Sequence, residues 1–374
     1  MSDPGTELTA LEKAGLLRTL KPLDSATGVR IVRDGRDLWN FASNDYLGLA
    51  GHSGIREAFH EGLDRWGHGA AASRLITGGQ PPHVHLEETL ASAKGTQAAL
   101  GFSSGYAAAT GIIPALVGKE DHVLLDKLAH ACLIDGARLS GATIRVFPHN
   151  DTAKLERLLS SIRSKDSTGR ILILTESVFS MDGDLCPLRD ILDLKERFGA
   201  LLLLDEAHGL GVLGPQGMGL AQELGEEARV DFHMGTLGKA AGLAGAYLAC
   251  SGSWRDLLVN RARSFIYSTA PPPALAHAAT KAIEIIRSSE GALLRLRLQE
   301  NIQLLAPASR TPIIPRVIGE NEAALAASAT LEQAGFLVPA IRYPTVPRGT
   351  ARLRISISAA HDRQALEQLA DLLG

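Results

Sequence analysis

The chain has 374 residues, a formal net charge of −3, and a composition of 45% hydrophobic and 21% charged residues. A charge so close to zero gives no reason to expect nucleic acid or an anionic membrane as a partner. No run of about 18 apolar residues is present to span a membrane, and residues 1–10 lack the apolar segment of a secretory signal. The three cysteines form no C-x-x-C pair, which argues against a disulfide framework or a structural zinc site and fits a cytoplasmic protein.

Short apolar runs alternate with longer amphipathic stretches over the first 270 residues. Helical periodicity is seen, for example, at 107–116, 152–163 and 188–198. Runs that are apolar on both faces and separated by helices are typical of parallel strands covered on both sides, so the pattern predicts an α/β fold with a mainly parallel sheet. The seven predicted strands are 98–102, 122–126, 143–147, 171–176, 200–205, 232–236 and 245–251.

Three consecutive prolines at 271–273 end this region. The sequence then predicts one long helix over 274–305, followed by a small α+β unit in the order β-α-β-β-α. Its predicted elements are 313–318, 323–334, 337–341, 351–357 and 362–373. We therefore predict three parts: an N-terminal segment at 1–45, a large domain at 46–270, and a connecting helix with a small C-terminal domain at 271–374.

Three motifs resemble sites of other kinds. Leu201–His208 ends in D-E-A-H like a helicase strand, but no G-x-x-x-x-G-K-[ST] precedes it to hold phosphates. Gly209–Gly214 matches G-x-G-x-x-G, yet Pro215 and further glycines follow where a dinucleotide fold needs a helix. His83 and His85 suggest metal ligands, but a solvated helix start after two prolines is the simpler interpretation. No metal site is predicted.

Polar residues follow several of the predicted strands, and in an open α/β sheet ligands bind beyond the carboxyl ends of the strands. The residues concerned are Gly105, Tyr106, His130, Ser180, Asp205, His208, Thr236 and Lys239. Each alone has a structural explanation, such as a turn cap or a solvated side chain. Their joint order along the chain indicates a site for pyridoxal 5′-phosphate.

The chemistry of that cofactor explains the residue types. A lysine amine must form a Schiff base with the aldehyde, and Lys239 lies among small residues that leave room for a flat ring. A buried carboxylate must keep the pyridine nitrogen protonated, and Asp205 ends a run of four leucines. Helix N-terminal amides bind phosphate, and Gly105 and Tyr106 open a predicted helix.

The remaining residues complete the predicted site. Thr236 adds a hydroxyl three residues before the lysine. His130 is a candidate to cover one face of the ring, whereas Ser180 and His208 are candidates to hydrogen-bond the ring hydroxyl. The predicted catalytic residues are Lys239, His130 and Asp205.

The motifs taken together are similar to those of the α-oxoamine synthases, which are pyridoxal phosphate enzymes of the aspartate aminotransferase fold type (fold type I). The similarity runs from about Leu16 to the C-terminus. The segments that carry it are S-N-D-Y-L-G-L at 43–49, V-F-S-M-D-G-D at 178–184, D-E-A-H-G at 205–209, T-L-G-K at 236–239, I-Y-S-T at 266–269 and P-T-V-P-R-G-T-A-R-L-R at 344–354.

The resemblance implies roles for further residues. Asn44 would lie near the bound amino acid, and Arg354 would hold its carboxylate through a bidentate fork. Arg18 and Thr345 would contact the acyl substrate. The family's site lies between two subunits, so a homodimer is implied, with Thr269 reaching the partner's phosphate.

Segment-level differences indicate which member of the family the chain resembles. Residues 345–347 with 341–342, and residues 268–272, favour the member that condenses a pimeloyl thioester with L-alanine in biotin synthesis. Residues 130–136 and 343–344 are similar instead to the sister ligase, a glycine C-acetyltransferase. The Gly67–Arg74 stretch differs from some members, and the sequence leaves open whether the acyl group arrives on CoA or on acyl carrier protein. A pyridoxal phosphate-binding protein without catalysis is the alternative from another class.

Overall fold

A computed structural model describes residues 3–166 and 168–374, so the first two residues of the predicted N-terminal segment and residue 167 lie outside the described residues. The strands are β1 Arg30–Arg33, β2 Arg36–Asn40, β3 Ala98–Phe102, β4 His122–Asp126, β5 Thr143–Phe147, β6 Ile171–Glu176, β7 Leu201–Asp205, β8 Phe232–Thr236, β9 Ala246–Cys250, β10 Ile313–Gly319, β11 Phe336–Leu337, β12 Ala340–Ile341 and β13 Ala351–Ser356. The α-helices are α1 Pro4–Lys13, α2 Ser53–Trp66, α3 Pro81–Lys94, α4 Gly105–Leu116, α5 Ala131–Ser140, α6 Thr152–Arg163, α7 Leu188–Arg197, α8 Leu220–Leu224, α9 Gly252–Arg261, α10 Arg263–Ile266, α11 Pro273–Arg287, α12 Ser289–Leu305, α13 Asn321–Gln333 and α14 Arg363–Leu373.

The chain divides into two compact units. The first unit comprises residues 1–51, 181–183 and 296–374, and the second comprises residues 52–180 and 184–295. The three-part division predicted from the sequence stays a prediction. Within the described ranges, no helix is long and apolar enough to cross a membrane.

The second unit contains a seven-stranded sheet in the order β3-β9-β8-β7-β6-β4-β5. Strands β5, β4, β6, β7 and β8 are paired in parallel, while β9 runs antiparallel to both of its neighbours. The mainly parallel seven-stranded sheet predicted from the sequence is confirmed, and each strand begins and ends within one residue of its predicted bounds.

The central strands of the sheet are buried because they are apolar on both faces. Every residue of β6 and β9 is buried. On one face, α4, α5, α9 and α10 pack their apolar residues against the sheet around Ile112, Leu133 and Phe232. This burial fixes the register of the central strands, since slipping a strand by one residue would expose half of its apolar side chains. The polar residues that follow the strands are therefore held at a defined edge.

Side-chain caps determine where two helices begin at that edge. The Ser104 hydroxyl accepts a hydrogen bond from the Ala107 N–H at 3.1 Å, so α4 begins at Gly105, two residues earlier than its apolar periodicity indicates. At α5, the Nδ1 atom of His130 accepts from the Cys132 N–H at 3.2 Å. Such caps satisfy amides that have no acceptor within the helix.

The loop at 209–214 contains no helix, as predicted from Pro215 and the glycines. The next helix, α8, begins only at Leu220. Gly219 has a φ of 105°, and a Cβ atom there would lie 2.3 Å from Oε1 of Glu206. Only glycine both adopts this backbone conformation readily and lets the loop approach that carboxylate.

The first unit contains two three-stranded sheets, β1-β2-β11 and β10-β13-β12. The single strand predicted at 337–341 is wrong: β11 pairs with β2, whereas β12 pairs with β13. Pro339 lies between them and has no N–H to continue a ladder, and its carbonyl accepts from the Arg354 N–H at 3.0 Å. The α+β character of the C-terminal region is confirmed.

The single long helix predicted at 274–305 is also wrong, because the chain forms α11 and α12 on either side of Ser288. Ser288 has an extended backbone with ψ of 177°, and its hydroxyl accepts from the Gly291 N–H at 3.4 Å. A serine that caps a new helix competes with continuation of the old one.

The prediction for His83 is also corrected by the structure. The sequence interpretation placed it at a solvated helix start, and α3 does begin there, but its side chain is buried. Its Nδ1 atom accepts from the Gln80 N–H at 3.2 Å, and its Nε2 atom lies 2.8 Å from the Pro271 carbonyl oxygen. The histidine thus caps the helix from within the protein. Among the described residues, no group of three or more His, Cys, Asp or Glu side chains is arranged to hold a metal ion.

Candidate active site

A pocket of about 200 Å³ opens at the carboxyl ends of the parallel strands in the second unit. It lies where ligands bind in open α/β sheets. Seven of the residues predicted from the sequence line it, and the full lining is Gly105, Tyr106, His130, Cys132, Glu176, Asp205, Ala207, His208, Met234, Gly235, Thr236 and Lys239. The sheet therefore brings together residues that are up to 134 positions apart, counted from Gly105 to Lys239.

Lys239 lies in the loop between β8 and β9. Its Nζ atom is 2.9 Å from Nε2 of His208, which follows β7. The Thr236 hydroxyl closes the loop by donating to the Gly245 carbonyl at 2.9 Å and accepting from the Gly238 N–H at 3.2 Å. The amine is thus presented from a loop whose own hydrogen bonds hold its shape.

Asp205 ends β7 with its carboxylate buried, and it accepts a hydrogen bond from the Ala207 N–H at 2.9 Å. Burial raises the pKa of this carboxyl group, while the positive charge of Lys239 acts in the opposite direction. A buried carboxyl group in this setting favours a cationic partner.

Glu176 is a pocket residue that the sequence interpretation missed. It ends β6 next to Asp205, and its Oε1 atom accepts from the His130 N–H at 2.6 Å. Its carboxylate also accepts from the Ser180 N–H. Burial and the nearby charge of Asp205 raise the pKa of Glu176 to about 8. Glu176 could have been predicted from the sequence, because it ends a fully buried strand, as Asp205 does.

The N-terminus of α4 forms the other end of the pocket. Among the described residues, no protein acceptor takes the N–H groups of Gly105 and Tyr106. A Cβ atom at Gly105 would meet no atom of another described segment within 4 Å, so packing against those segments does not require glycine there. Two unused amides at a helix N-terminus beside open space form a binding place for an anion.

His130 and Ser180 are connected through Glu176, because both donate backbone N–H groups to it. Burial lowers the pKa of His130, an effect that the Lys239 charge reinforces and the Asp205 charge opposes. Ser180 is buried but does not line the pocket. Thr269 also lies outside the pocket lining, as an exposed residue bridged to Ser73, and its predicted reach to a partner subunit stays a prediction.

The predicted substrate residues lie in the first unit. Arg354 is buried on β13 and donates to the Ser356 hydroxyl at 2.7 Å. It also forms a hydrogen bond with the hydroxyl of Tyr46, which in turn donates to Oδ1 of Asn44 at 3.1 Å. Tyr46 thus connects the two residues predicted to bind the amino acid, a link that the sequence interpretation did not foresee.

Arg18 and Thr345 are both exposed. The guanidinium of Arg342 donates to the Gly15 carbonyl, three residues before Arg18, and the Arg342 carbonyl accepts from the Thr345 N–H at 2.9 Å. Arg342 therefore connects the two segments that are predicted to contact the acyl substrate. Their contact with that substrate stays a prediction.

Comparison with known proteins identifies the family. A profile described as aminotransferase class I and II matches residues 36–373. An 8-amino-7-oxononanoate synthase of Geobacter sulfurreducens is 48% identical over 97% of this chain and 94% of its own length. One of Herminiimonas arsenicoxydans is 48% identical over 97% of this chain and 96% of its own length. The chain belongs to the 8-amino-7-oxononanoate synthase family.

Solved structures share the fold. A serine palmitoyltransferase from S. paucimobilis with a bound PLP–myriocin aldimine has a TM-score of 0.92 at 28% identity, over 98% of this chain and 94% of that one. An 8-amino-7-oxononanoate synthase from Francisella tularensis has a TM-score of 0.76 at 27% identity, over 90% and 96%. Enzymes that differ in substrate thus share one architecture, so the fold alone does not identify the substrate. The two relatives from Geobacter sulfurreducens and Herminiimonas arsenicoxydans, at 48% identity against 28% for this palmitoyltransferase, place the chain with the oxononanoate synthases.

The pocket fits pyridoxal 5′-phosphate on its own geometry. It presents a lysine amine, a buried carboxyl group that favours a cationic partner, and two unused helix amides at separate points of its wall. These are the partners that an aldehyde, a protonated pyridine nitrogen and a phosphate require. The fold type and cofactor predicted from the sequence therefore agree with the family and with the pocket.

Proposed function

We propose that the chain condenses L-alanine with a pimeloyl thioester, giving 8-amino-7-oxononanoate, CO2 and the free thiol carrier, with pyridoxal 5′-phosphate as cofactor. The product would enter biotin synthesis. The observation that carries the proposal is 48% identity to a named oxononanoate synthase over 97% of the chain. The pocket containing Lys239, His208 and Asp205 supports it independently.

The pocket residues have distinct tasks. When bound, the cofactor accepts the electron pair released at the Cα atom of the amino acid. Lys239 removes and returns the proton at that Cα atom, and His208, 2.9 Å away, is placed to hydrogen-bond its amine. Asp205 would hold the proton on the ring nitrogen, while the amides of Gly105 and Tyr106 would hold the phosphate. Thr236 would complete the binding of the ring substituents, while the role of Ser180, which does not line the pocket, stays a prediction.

We assign substrate binding to residues of the first unit, as the family resemblance implies. Arg354 would hold the carboxylate of L-alanine, because a guanidinium offers two parallel donors to two oxygens. Asn44 would contact the same amino acid, with Tyr46 fixing the orientation of both side chains. Arg18 and Thr345 would contact the acyl chain, which arrives on CoA or on acyl carrier protein.

We also propose a cytoplasmic homodimer in which Thr269 of each subunit reaches the partner's phosphate site. The exposure of Thr269 and of the neighbouring Tyr267 in the isolated chain supports this proposal. Sedimentation equilibrium of the purified protein is the direct measurement. A monomer at micromolar concentration would contradict the dimer.

The decisive experiment is a matrix of amino acids against acyl thioesters, with product and free thiol both measured. L-Alanine with pimeloyl-CoA or pimeloyl-acyl carrier protein is expected to give the highest kcat/KM. Faster turnover of glycine with acetyl-CoA would assign the chain to the sister ligase. Bound cofactor without turnover of any pair would indicate a binding protein that has lost catalysis.

A further inference from the structure

The ring of His130 is held at Nδ1 by the residue two positions later. The Cys132 N–H donates to Nδ1 at 3.2 Å, and Sγ of the same residue lies 3.0 Å from the same atom. A nitrogen that accepts a backbone N–H carries no proton, so the proton of a neutral imidazole must be on the other nitrogen. Both donors come from Cys132, which also lines the pocket.

The thiol is a donor in this contact because it keeps its proton. Burial raises the pKa of Cys132 far above its ordinary value, and the carboxylates Asp205 and Glu176 add to the effect. Burial also lowers the pKa of His130, so the pair is a neutral thiol and a neutral imidazole. A thiolate–imidazolium pair would need a cationic setting instead.

From this geometry we infer that Cys132 is a positioning residue that fixes His130 in the tautomer with its proton on Nε2. The backbone of His130 is held separately, through its N–H bond to Glu176. Ring tautomer and ring position are therefore set by different contacts. In the pocket, His130 can then donate a hydrogen bond from Nε2, while Nδ1 is not available as a base.

The consequence for catalysis rests on the proposed function, but the tautomer itself does not. If His130 covers the cofactor ring, its Nε2–H is the one ring group that can point a proton toward a bound substrate. Loss of the thiol would remove one of the two donors to Nδ1. The tautomer with its proton on Nδ1 would then become more populated.

The test is 15N NMR of histidine-labelled protein, recorded for the cofactor-free and the cofactor-loaded chain. The spectrum of His130→Gln identifies the His130 signals among those of the 12 histidines. We expect Nε2 to show a one-bond coupling to hydrogen at neutral pH and Nδ1 to show none. A proton on Nδ1, or on both nitrogens, would overturn the inference. Because the cofactor-free spectrum requires no turnover, failure of the proposed function leaves this result interpretable.

Two variants then separate the thiol from the backbone. Cys132→Ser keeps a donor and is expected to preserve the tautomer, whereas Cys132→Ala is expected to shift the tautomer ratio by roughly 2- to 10-fold, the contribution of one ordinary hydrogen bond. Cys250→Ala is the matched control, a buried cysteine on β9 outside the pocket lining. An unchanged ratio in Cys132→Ala would show that the thiol has no positioning role.

Steady-state kinetics give the second readout. In Cys132→Ala, kcat should fall by roughly 2- to 10-fold with the KM for L-alanine unchanged, and Cys132→Ser should recover most of the loss. Cys250→Ala should retain the kcat of the parent. Equal kcat values in Cys132→Ala and the parent would overturn the role of this contact in the reaction.

Discussion

Glu176 and Asp205 are register partners at the carboxyl ends of two neighbouring parallel strands, and both carboxyl groups are buried. Adjacent strands lie about 4.8 Å apart, so two negative charges there repel one another strongly in a buried site. Burial raises the pKa of both groups, and the charge of Lys239 opposes the rise. The pair therefore holds a proton near neutral pH in the chain without cofactor.

The first prediction concerns Glu176→Gln and pH. Burial raises the pKa of Glu176 to about 8, whereas an unfolded glutamate titrates near about 4.3. Between these values the folded chain binds more protons than the unfolded one, so stability falls as pH rises through this window and levels off above it. Glu176→Gln should flatten that fall, measured by urea unfolding of cofactor-free protein from about pH 5 to about pH 8.5.

Glu57→Gln is the control for this prediction, because Glu57 is exposed on α2. It should leave the pH profile of the parent unchanged. An equal slope in the parent and in Glu176→Gln would mean that Glu176 is ionised throughout the window.

The second prediction concerns Lys239→Ala. Borohydride treatment should trap the cofactor covalently in the parent and not in the variant, because the aldehyde has lost its amine partner. Turnover should fall by roughly 100- to 10,000-fold, the range for a positioned acid–base group. Lys281→Ala, a change at an exposed lysine of α11, should trap the cofactor as the parent does. Trapped cofactor on another lysine, found by peptide mass spectrometry, would contradict the assignment.

The third prediction concerns His149, which bridges Asp126 at 3.0 Å and Asp184 at 2.7 Å. Burial lowers the pKa of His149, but the two carboxylates outweigh it and raise the pKa to about 10. Its ring also meets the edge of Phe179 at 4.3 Å between centroids, in the segment that leads to Ser180. The imidazolium thus clamps the loop after β6 to the end of β4.

His149→Gln should therefore destabilise the protein in a pH-dependent way. A raised histidine pKa stabilises the fold fully below about pH 6.5, and this contribution is lost as pH rises toward about 10. The difference in the free energy of unfolding between parent and variant should be largest near about pH 6 and should shrink toward about pH 10. His85→Gln, at an exposed histidine of α3, should show no such trend.

The fourth prediction concerns the buried pair of Lys94 and Glu206. The ammonium group of Lys94 donates to the Glu206 carboxylate and to the Met218 carbonyl, and both charged side chains are almost fully buried. Glu206 also accepts from the Ala221 N–H at 3.1 Å. The second residue of the D-E-A-H motif therefore anchors the loop behind Asp205.

Lys94→Met should destabilise the chain by roughly 3–5 kcal/mol, since it removes the ammonium partner of the buried Glu206 carboxylate and leaves the His233 ring nitrogen, 3.6 Å away, beside it. The double variant with Glu206→Gln should lose less than the sum of the single changes, because the unpaired charge is removed as well. Arg65→Met breaks the exposed pair with Glu61 and should cost at most about 1 kcal/mol. The free energy of unfolding of each variant is measured by chemical denaturation. If the loss in the double variant equals the sum of the losses in the two single variants, Lys94 and Glu206 are not coupled.

Some elements differ from their prediction because contacts between distant segments, and not the local residue pattern alone, decide the structure that a segment adopts. The run at 337–341 is apolar enough for one strand, but Pro339 divides it between two sheets. The helix at 274–305 keeps its periodicity through Ser288, where a serine cap begins a second helix. His83 has a polar side chain, yet it is buried because Pro271 provides an acceptor from another part of the chain.

The sequence by itself determined the seven strands of the large sheet, the residues that follow them, and the cofactor chemistry that they serve, because buried strands and strand ends leave local signals in residue type. Only the tertiary structure decided that Glu176 stands beside Asp205, that Cys132 holds the ring of His130, and that Tyr46 joins Asn44 to Arg354. The physical reason is that strand register and side-chain direction depend on pairing between distant segments. Periodicity along one segment predicts that it is buried, but it does not predict which residue lies opposite.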